Sequence, residues 1–289
     1  MQQGAGIVTL DQVFDQADQT VAYTAAQARK WLRLIDGASR IITQFTRRSF
    51  VPYRQAKTYD ARGGHIDTYT LQLNADLLEV EALTNGDGST ISSSQYVLRP
   101  SNLYPKYAIR LKDSGSVSWT YTDAWEDAIT VDGWWGYHGD YTIAWAATGD
   151  SVQDDGGINA TTQTITVSDM DALDANYRPR FQIGMWIKID DECMRVVNAD
   201  AETDQITVIR AQLGTTAAVH AKSASITSYN AQYDIAQACI GLTIWLERND
   251  GTVGEQVWFV QGGQVVMNQA PAYIGDTMKA YRKAKVIAI

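Results

Sequence analysis

The chain has little of what covalent and metal chemistry needs. Its 289 residues include two cysteines, Cys193 and Cys239, and three histidines, His65, His138 and His220. Two distant cysteines make neither a disulfide framework nor a metal-ligand set, and they fit a reducing compartment. Positive charge is also scarce. Lys+Arg is 24 against Asp+Glu 33, a net charge of −9, which excludes a generally basic surface made for gripping phosphate backbones. Long apolar runs are missing: the stretches 141–147 and 239–246 fall short of the roughly 18 residues of a membrane span. The first residues lack a basic segment followed by an apolar one, so no secretory signal is expected and the chain reads as a soluble product of a host cytoplasm. No nucleophile elbow, phosphate-binding glycine loop, His-Glu-x-x-His or EF-hand pattern occurs. The expectation is a protein that is not an enzyme and takes no cofactor.

What is present is an ordinary globular composition, 45% hydrophobic and 20% charged, with 9 tryptophans, 15 tyrosines and only five prolines. Residues 24–48 carry apolar side chains at helical spacing (Ala28, Trp31, Leu32, Ile35, Ala38, Ile41, Ile42, Phe45). Thr24 is the expected N-cap, and Pro52 the expected end of the helical region. A shorter helix begins after Thr9, with Leu10, Val13 and Phe14 apolar. From Lys57 the period becomes two, with strands expected at 70–73, 95–98, 107–111 and 129–132. Residues 150–229 are again strand-like (163–167, 185–190, 192–197, 205–209, 224–228) and hold twelve acidic against six basic residues. Helical spacing returns over 233–247, stopped by a left-handed cap at Asn249-Asp250-Gly251, and Pro271 opens a last helix through Tyr281. The expected fold is α+β: a helical core formed by the N- and C-terminal helices, with two inserted antiparallel β regions. The division expected is 1–56 helical, 57–149 β region, 150–229 acidic β module and 230–289 carboxy-terminal helices and tail.

Several groups of residues are candidates for function. Asp190-Asp191-Glu192 is the densest carboxylate run; it suits a hard cation, but an alternating hairpin with its charges in water explains it without one. Arg29, Arg33, Arg40 and Arg47 stripe the first long helix, either as a solvated face or as a subunit interface that docks onto an acidic partner such as a neighbouring copy's β module. Lys279, Arg282, Lys283 and Lys285 make the carboxy terminus basic, and Val286-Ile287-Ala288-Ile289 then make it apolar. Such a tail either packs on its own domain or adds as a strand to another subunit. Trp134, Trp135 and Trp186 are stacking platforms if the β module binds a receptor or glycan, and core residues otherwise. A hydrolase would need a paired acid and base, and no spacing identifies one.

The segment from Ser39 to Phe50 with Val51-Pro52, then Lys57-Thr58-Tyr59-Asp60, Leu71 to Leu78, Leu98-Arg99-Pro100-Ser101-Asn102 and finally Pro271 leading into Tyr281-Arg282-Lys283 resembles tailed-phage head–tail connector (adaptor) proteins. Ile187 to Val196, followed by Arg210 to Ala221, is similar to a small β module recurring in phage virion proteins, where Gly usually stands at the place of Ala211. The resemblance implies a homo-oligomeric ring, usually of twelve copies, in the virion neck. Such a ring binds the portal protein on one side and a tail-terminator or other neck protein on the other, and it lets genomic DNA pass through its lumen without specific binding. It also implies that the carboxy-terminal tail grips the portal, which maps onto Lys279, Tyr281, Arg282, Lys283, Lys285, Val286, Ile287 and Ile289. A receptor- or glycan-binding virion protein is the alternative.

Overall fold

The computed structural model describes residues 5–17, 24–64, 66–175, 177–249, 260–261, 264–265 and 270–284. It is α+β, with four helices and two main antiparallel sheets of five and six strands among the described residues. The chain divides into two compact units, residues 51–143 and residues 1–50 with 144–289.

The 51–143 unit is the five-stranded sheet: β1 (Tyr53–Tyr59), β2 (Thr70–Thr84), β3 (Tyr96–Arg99), β4 (Lys106–Leu111) and β5 (Ile129–Trp135), in the order β1-β5-β2-β4-β3. Strand β2 runs fifteen residues, far beyond the four that alternation predicts. Register shifts between Gln72 and Leu77 and again up to Ala82 let it pair first with β4 and then with β5. Such bulges bend a strand, so one long segment closes the sheet over Leu71, Leu77, Leu83, Ile109, Ile129 and Trp135.

The other unit begins with α1 (Leu10–Ala17), which buries Leu10, Val13 and Phe14. Thr9 and Gln12 cap it reciprocally, Thr9 N–H donating to Gln12 Oε1 at 3.0 Å. Helix α2 (Ala25–Thr46) starts at Thr24, whose hydroxyl accepts from Gln27 N–H in a second capping box, and buries Ala28, Trp31, Ile35, Ala38 and Ile42. The helix ends at Thr46 because Arg47 adopts a left-handed conformation (φ 59°), several residues before Pro52. Strands β6 (Trp145–Ser151), β7 (Thr164–Thr166), β8 (Trp186–Ile189), β9 (Glu192–Asp200), β10 (Gln205–Gln212) and β11 (Ser225–Tyr229) form the six-stranded sheet in the order β6-β11-β8-β9-β10-β7. Gln153 N–H donates to Thr166 O at 2.9 Å just past β6, tying the two edges around a core of Ile165, Ile187, Met194, Val196, Ile206 and Ile226. Asp154-Asp155-Gly156-Gly157 therefore follows the first strand of this sheet instead of leading into it.

Helix α3 (Tyr233–Arg248) touches α2 through Ser39 Oγ and Cys239 Sγ at 3.4 Å and through Lys30 and Glu247 at 3.4 Å. Its C-cap, Asn249, has φ −109°, so the expected left-handed stop is not at Asn249, and Asp250 and Gly251 lie outside the described residues. Helix α4 (Ala272–Ala280) starts one residue after Pro271, which is its N-cap. It packs against α3 at Gly241, where a Cβ would collide with the Tyr273 hydroxyl. A two-residue pair, β12 (Val260–Gln261) and β13 (Gln264–Val265), lies between the two helices in sequence.

Helices and sheet of this unit are joined directly. Trp186 Nε1 donates to Gly6 O at 2.7 Å, Leu10 N–H to Ile183 O at 2.9 Å, and Arg195 pairs with Asp36 at 2.8 Å. Consecutive residues hold the two ends of the 51–143 insertion: Tyr229 Oη donates to Phe50 O at 2.6 Å, and Asn230 N–H donates to Ala144 O at 2.8 Å.

One glycine of α2 answers to no close contact among the described residues. Gly37 lies on the outward side, and a Cβ there meets nothing within 4 Å. Glycine in a helix interior costs about 0.5–1 kcal/mol relative to alanine. Gly37→Ala is expected to stabilise the isolated chain by about that amount in urea unfolding; a loss of stability would mean that part of the chain packs there.

Candidate functional site

The turn between β8 and β9 sends its three acidic residues to different places. Asp190 takes a left-handed conformation (φ 49°) and, like Asp191, is exposed, whereas Glu192 turns inward and is 1% exposed. The expectation that all three charges face water fails at Glu192, and pairing is the reason. Arg210 Nε and Nη2 donate to its two oxygens at 2.7 and 2.6 Å, the Ala211 and Ala218 N–H groups donate at 3.0 and 2.8 Å, and His220 Nε2 lies 3.0 Å from Oε2. Burial alone would raise this carboxyl, but Arg210 and the backbone donors outweigh it and hold the group at about 2. Arg210 gives its remaining N–H groups to the carbonyls of Asn159, Thr162 and Ala218. With five donors on Glu192, a cation finds no free lone pair to coordinate. Among the described residues no group of three or more His, Cys, Asp or Glu could hold a metal.

The same network fixes His220 and the loop that it closes. His220 is buried with Nδ1 2.7 Å from Asp190 Oδ2, so it braces the turn from behind. The loop it closes begins with Ala211 and Leu213, both at φ 55°, and Gly214 at φ 83°. Ala211 thus holds a left-handed conformation that favours glycine, and this chain accepts an alanine there at a cost. His138 is buried too, its Nδ1 accepting from Asp140 N–H at 3.1 Å. His65 lies outside the described residues. Burial pushes both cysteine thiols up to about 12, far from a reactive thiolate.

A groove of about 730 Å³ opens in the 1–50/144–289 unit, lined among others by Val8, Gln182, Trp186 and Ile240. Tyr177 and Tyr233, 86% and 78% exposed, stand along it. Its carboxylates are Asp15, which is exposed, and Asp174, which Arg178 grips through Nε at 2.9 Å and Nη2 at 2.6 Å. Asp174 is therefore committed to its ion pair, and two free carboxylates do not converge as a hydrolase site requires. Sequence reasoning missed this groove, because its walls come from segments far apart in the chain.

The residues expected to meet partners fall into two settings. Arg29, Arg33 and Arg40 share one exposed face of α2 and make no ion pair among the described residues, while Arg47 belongs to the left-handed cap and stands off that face. The carboxy-terminal group starts with Lys279, exposed and 3.1 Å from Asp276. The next three residues are fastened to the end of α2. Arg48 Nε donates to Tyr281 O at 2.7 Å, Arg282 stacks over Phe45 at 5.3 Å, and Lys283 N–H donates to Thr46 O at 2.8 Å, satisfying a carbonyl that the helix end leaves open. Tyr281 also packs edge-on against Phe50 and donates to Asp234. Lys285, Val286, Ile287 and Ile289 lie outside the described residues.

The three tryptophans expected as possible platforms are core residues. Trp134, Trp135 and Trp186 are at most 5% exposed, and their indole N–H groups donate to Glu81, Gln55 O and Gly6 O. No helix among the described residues is long and apolar enough to cross a membrane. No family model, curated protein or solved structure matches the chain.

Glu192→Gln is expected to destabilise the chain by about 3–5 kcal/mol in denaturant unfolding, because Arg210 stays buried without its partner. The double variant Glu192→Leu/Arg210→Met should lose much less. The folded carboxyl titrates below its ordinary 4.5, at about 2. Its stabilisation is therefore complete above pH 4.5 and fades as pH falls toward 2, so the gap between wild type and Glu192→Gln should shrink over that window. Ala211→Gly should add about 1 kcal/mol of stability by relieving the left-handed alanine.

Proposed function

We propose that the chain is a structural subunit of a head–tail connector. In this reading its N- and C-terminal helices make the core of each subunit, copies assemble into a ring, and the ring sits in the virion neck between the portal and the next neck or tail protein. The observation that carries the reading is the fastening of Tyr281, Arg282 and Lys283 to the end of α2. A basic, then apolar segment that starts from a fixed point on a rigid helix is suited to reach into another protein, because ordering it costs less than ordering a tail hung on a loose linker. The order of the connector-like segments along the chain supports the same reading. So does the negative balance, since a conduit for sliding DNA must not retain phosphates. In this reading the chain catalyses no reaction and needs no cofactor. The tightly paired polar groups of the β module agree with a part built to be stiff.

The test is co-sedimentation with portal-bearing heads of the cognate virus, using the full chain and a chain ending at Ala284. The full chain should bind. The shortened one should keep the same thermal unfolding but bind about 100-fold more weakly or worse, since burying two of its aliphatic side chains contributes about 3 kcal/mol. Equal binding by both chains, or none by the full chain, would overturn the portal-docking role.

A further inference from the structure

The outer face of α2 is the most conspicuous surface left uncovered among the described residues. Arg29, Arg33 and Arg40 lie along it with Ala26 and Gln44, all exposed. No carboxylate among the described residues pairs with the three arginines, although the neighbouring Lys30 finds Glu247 and Asp36 finds Arg195. Gly37 interrupts the row between Arg33 and Arg40. It weakens the helix, and a Cβ built on it would meet no other part of the described residues within 4 Å. A missing side chain with no internal reason, flanked by unpaired charges, marks a place where a surface from outside comes close to the helix backbone.

The matching surface is on the same chain. The β9–β10 turn and the loop after β7 meet where Asp204 Oδ1 accepts from Met170 N–H at 3.1 Å. Asp169, Asp171, Asp200, Glu202 and Asp204 thereby gather at one end of the six-stranded sheet. Asp169, Asp171 and Glu202 are exposed, and so are the small tip residues Ala201 and Thr203. Asp169, Asp200 and Asp204 accept from the backbone N–H groups of Ala172, Glu202 and Met170, and no cation among the described residues pairs with any of the five. One molecule therefore carries an unmatched positive helix face with a notch and an unmatched negative hairpin end with a narrow tip.

We infer that these two surfaces are the two halves of the contact between copies: the acidic β9–β10 end of one subunit seats on the Arg29–Arg33–Arg40 face of the next, its tip over Gly37. The inference rests on the connector reading and names the surfaces that build the ring. Contact between two different patches is heterologous, so each copy offers one of each and the assembly propagates until it closes. Charge complementarity sets the register and rejects wrong pairings, and salt weakens it.

Sedimentation velocity on the full chain at rising concentration tests this with four variants. R29E/R33E/R40E and D169K/D171K/E202K should each lower self-association at least tenfold. Mixed together, they should associate again, because both the retained pair of surfaces and the doubly reversed pair are complementary, and a chain carrying all six reversals should self-associate like wild type. Gly37→Phe should block association without loss of thermal stability, and high salt should weaken the wild-type contact. Unchanged association in both charge-reversed variants would overturn the inference while leaving the connector reading intact if the chain still binds portal-bearing heads. A wild-type chain that stays monomeric at every concentration would overturn it as well, and the portal assay reports separately on the connector reading.

Discussion

The buried pair between Glu192 and Arg210 is the constraint on which the larger unit depends. Both sit at inward positions of adjacent strands, in register with Met194 and Val196 on β9 and with Ile206 and Val208 on β10. Two charges taken out of water are tolerated only when every lone pair and proton is used. Here that requirement recruits the backbone of residues 211–218, the carbonyls of Asn159 and Thr162, and His220. Three connections that would otherwise be loose are thus drawn to one point. The edges of the sheet can then meet, and β9 can present Arg195 to Asp36 of α2.

Much of this was legible from residue order, and the exceptions have physical causes. Thr9 and Thr24 start their helices as capping rules require, and the apolar rows of α1, α2 and α3 are buried. The end of α2 was misplaced because a left-handed Arg47 stopped it, a position where glycine or asparagine is the usual signal. Strand β2 was cut short because bulges break strict alternation. Glu192 was misread although its position, two residues before Met194 and four before Val196, already assigned it to the inward side. Parity in a strand outranks the polarity of a single residue when a partner such as Arg210 occupies the matching inward place on the neighbour. The groove beside Tyr177 and Tyr233 left no local signal, since α1, α3 and the 174–186 segment reach it only through tertiary packing.

Charge in this molecule is sorted by use. Several ions with internal partners lie at seams: Arg195 with Asp36 between sheet and helix, Arg180 with Asp150 between a loop and β6, Arg178 with Asp174 beside the groove. Among the described residues, two groups of ions without an ion-pair partner are each of one sign, positive on the outer face of α2 and negative at the β9–β10 end. One-sided surfaces of this kind are what the proposed contact between copies needs, because a patch that satisfies itself has nothing to offer a neighbour.

The paired grips of Tyr229 on Phe50 and Asn230 on Ala144 have an evolutionary consequence. The residues that grip Phe50 and Ala144, on either side of the 51–143 insertion, belong to the end of β11 and the position after it, so a foreign segment spliced between those two carbonyls would inherit a ready-made socket. Recombination at that seam can trade one cargo for another without disturbing the frame that carries it.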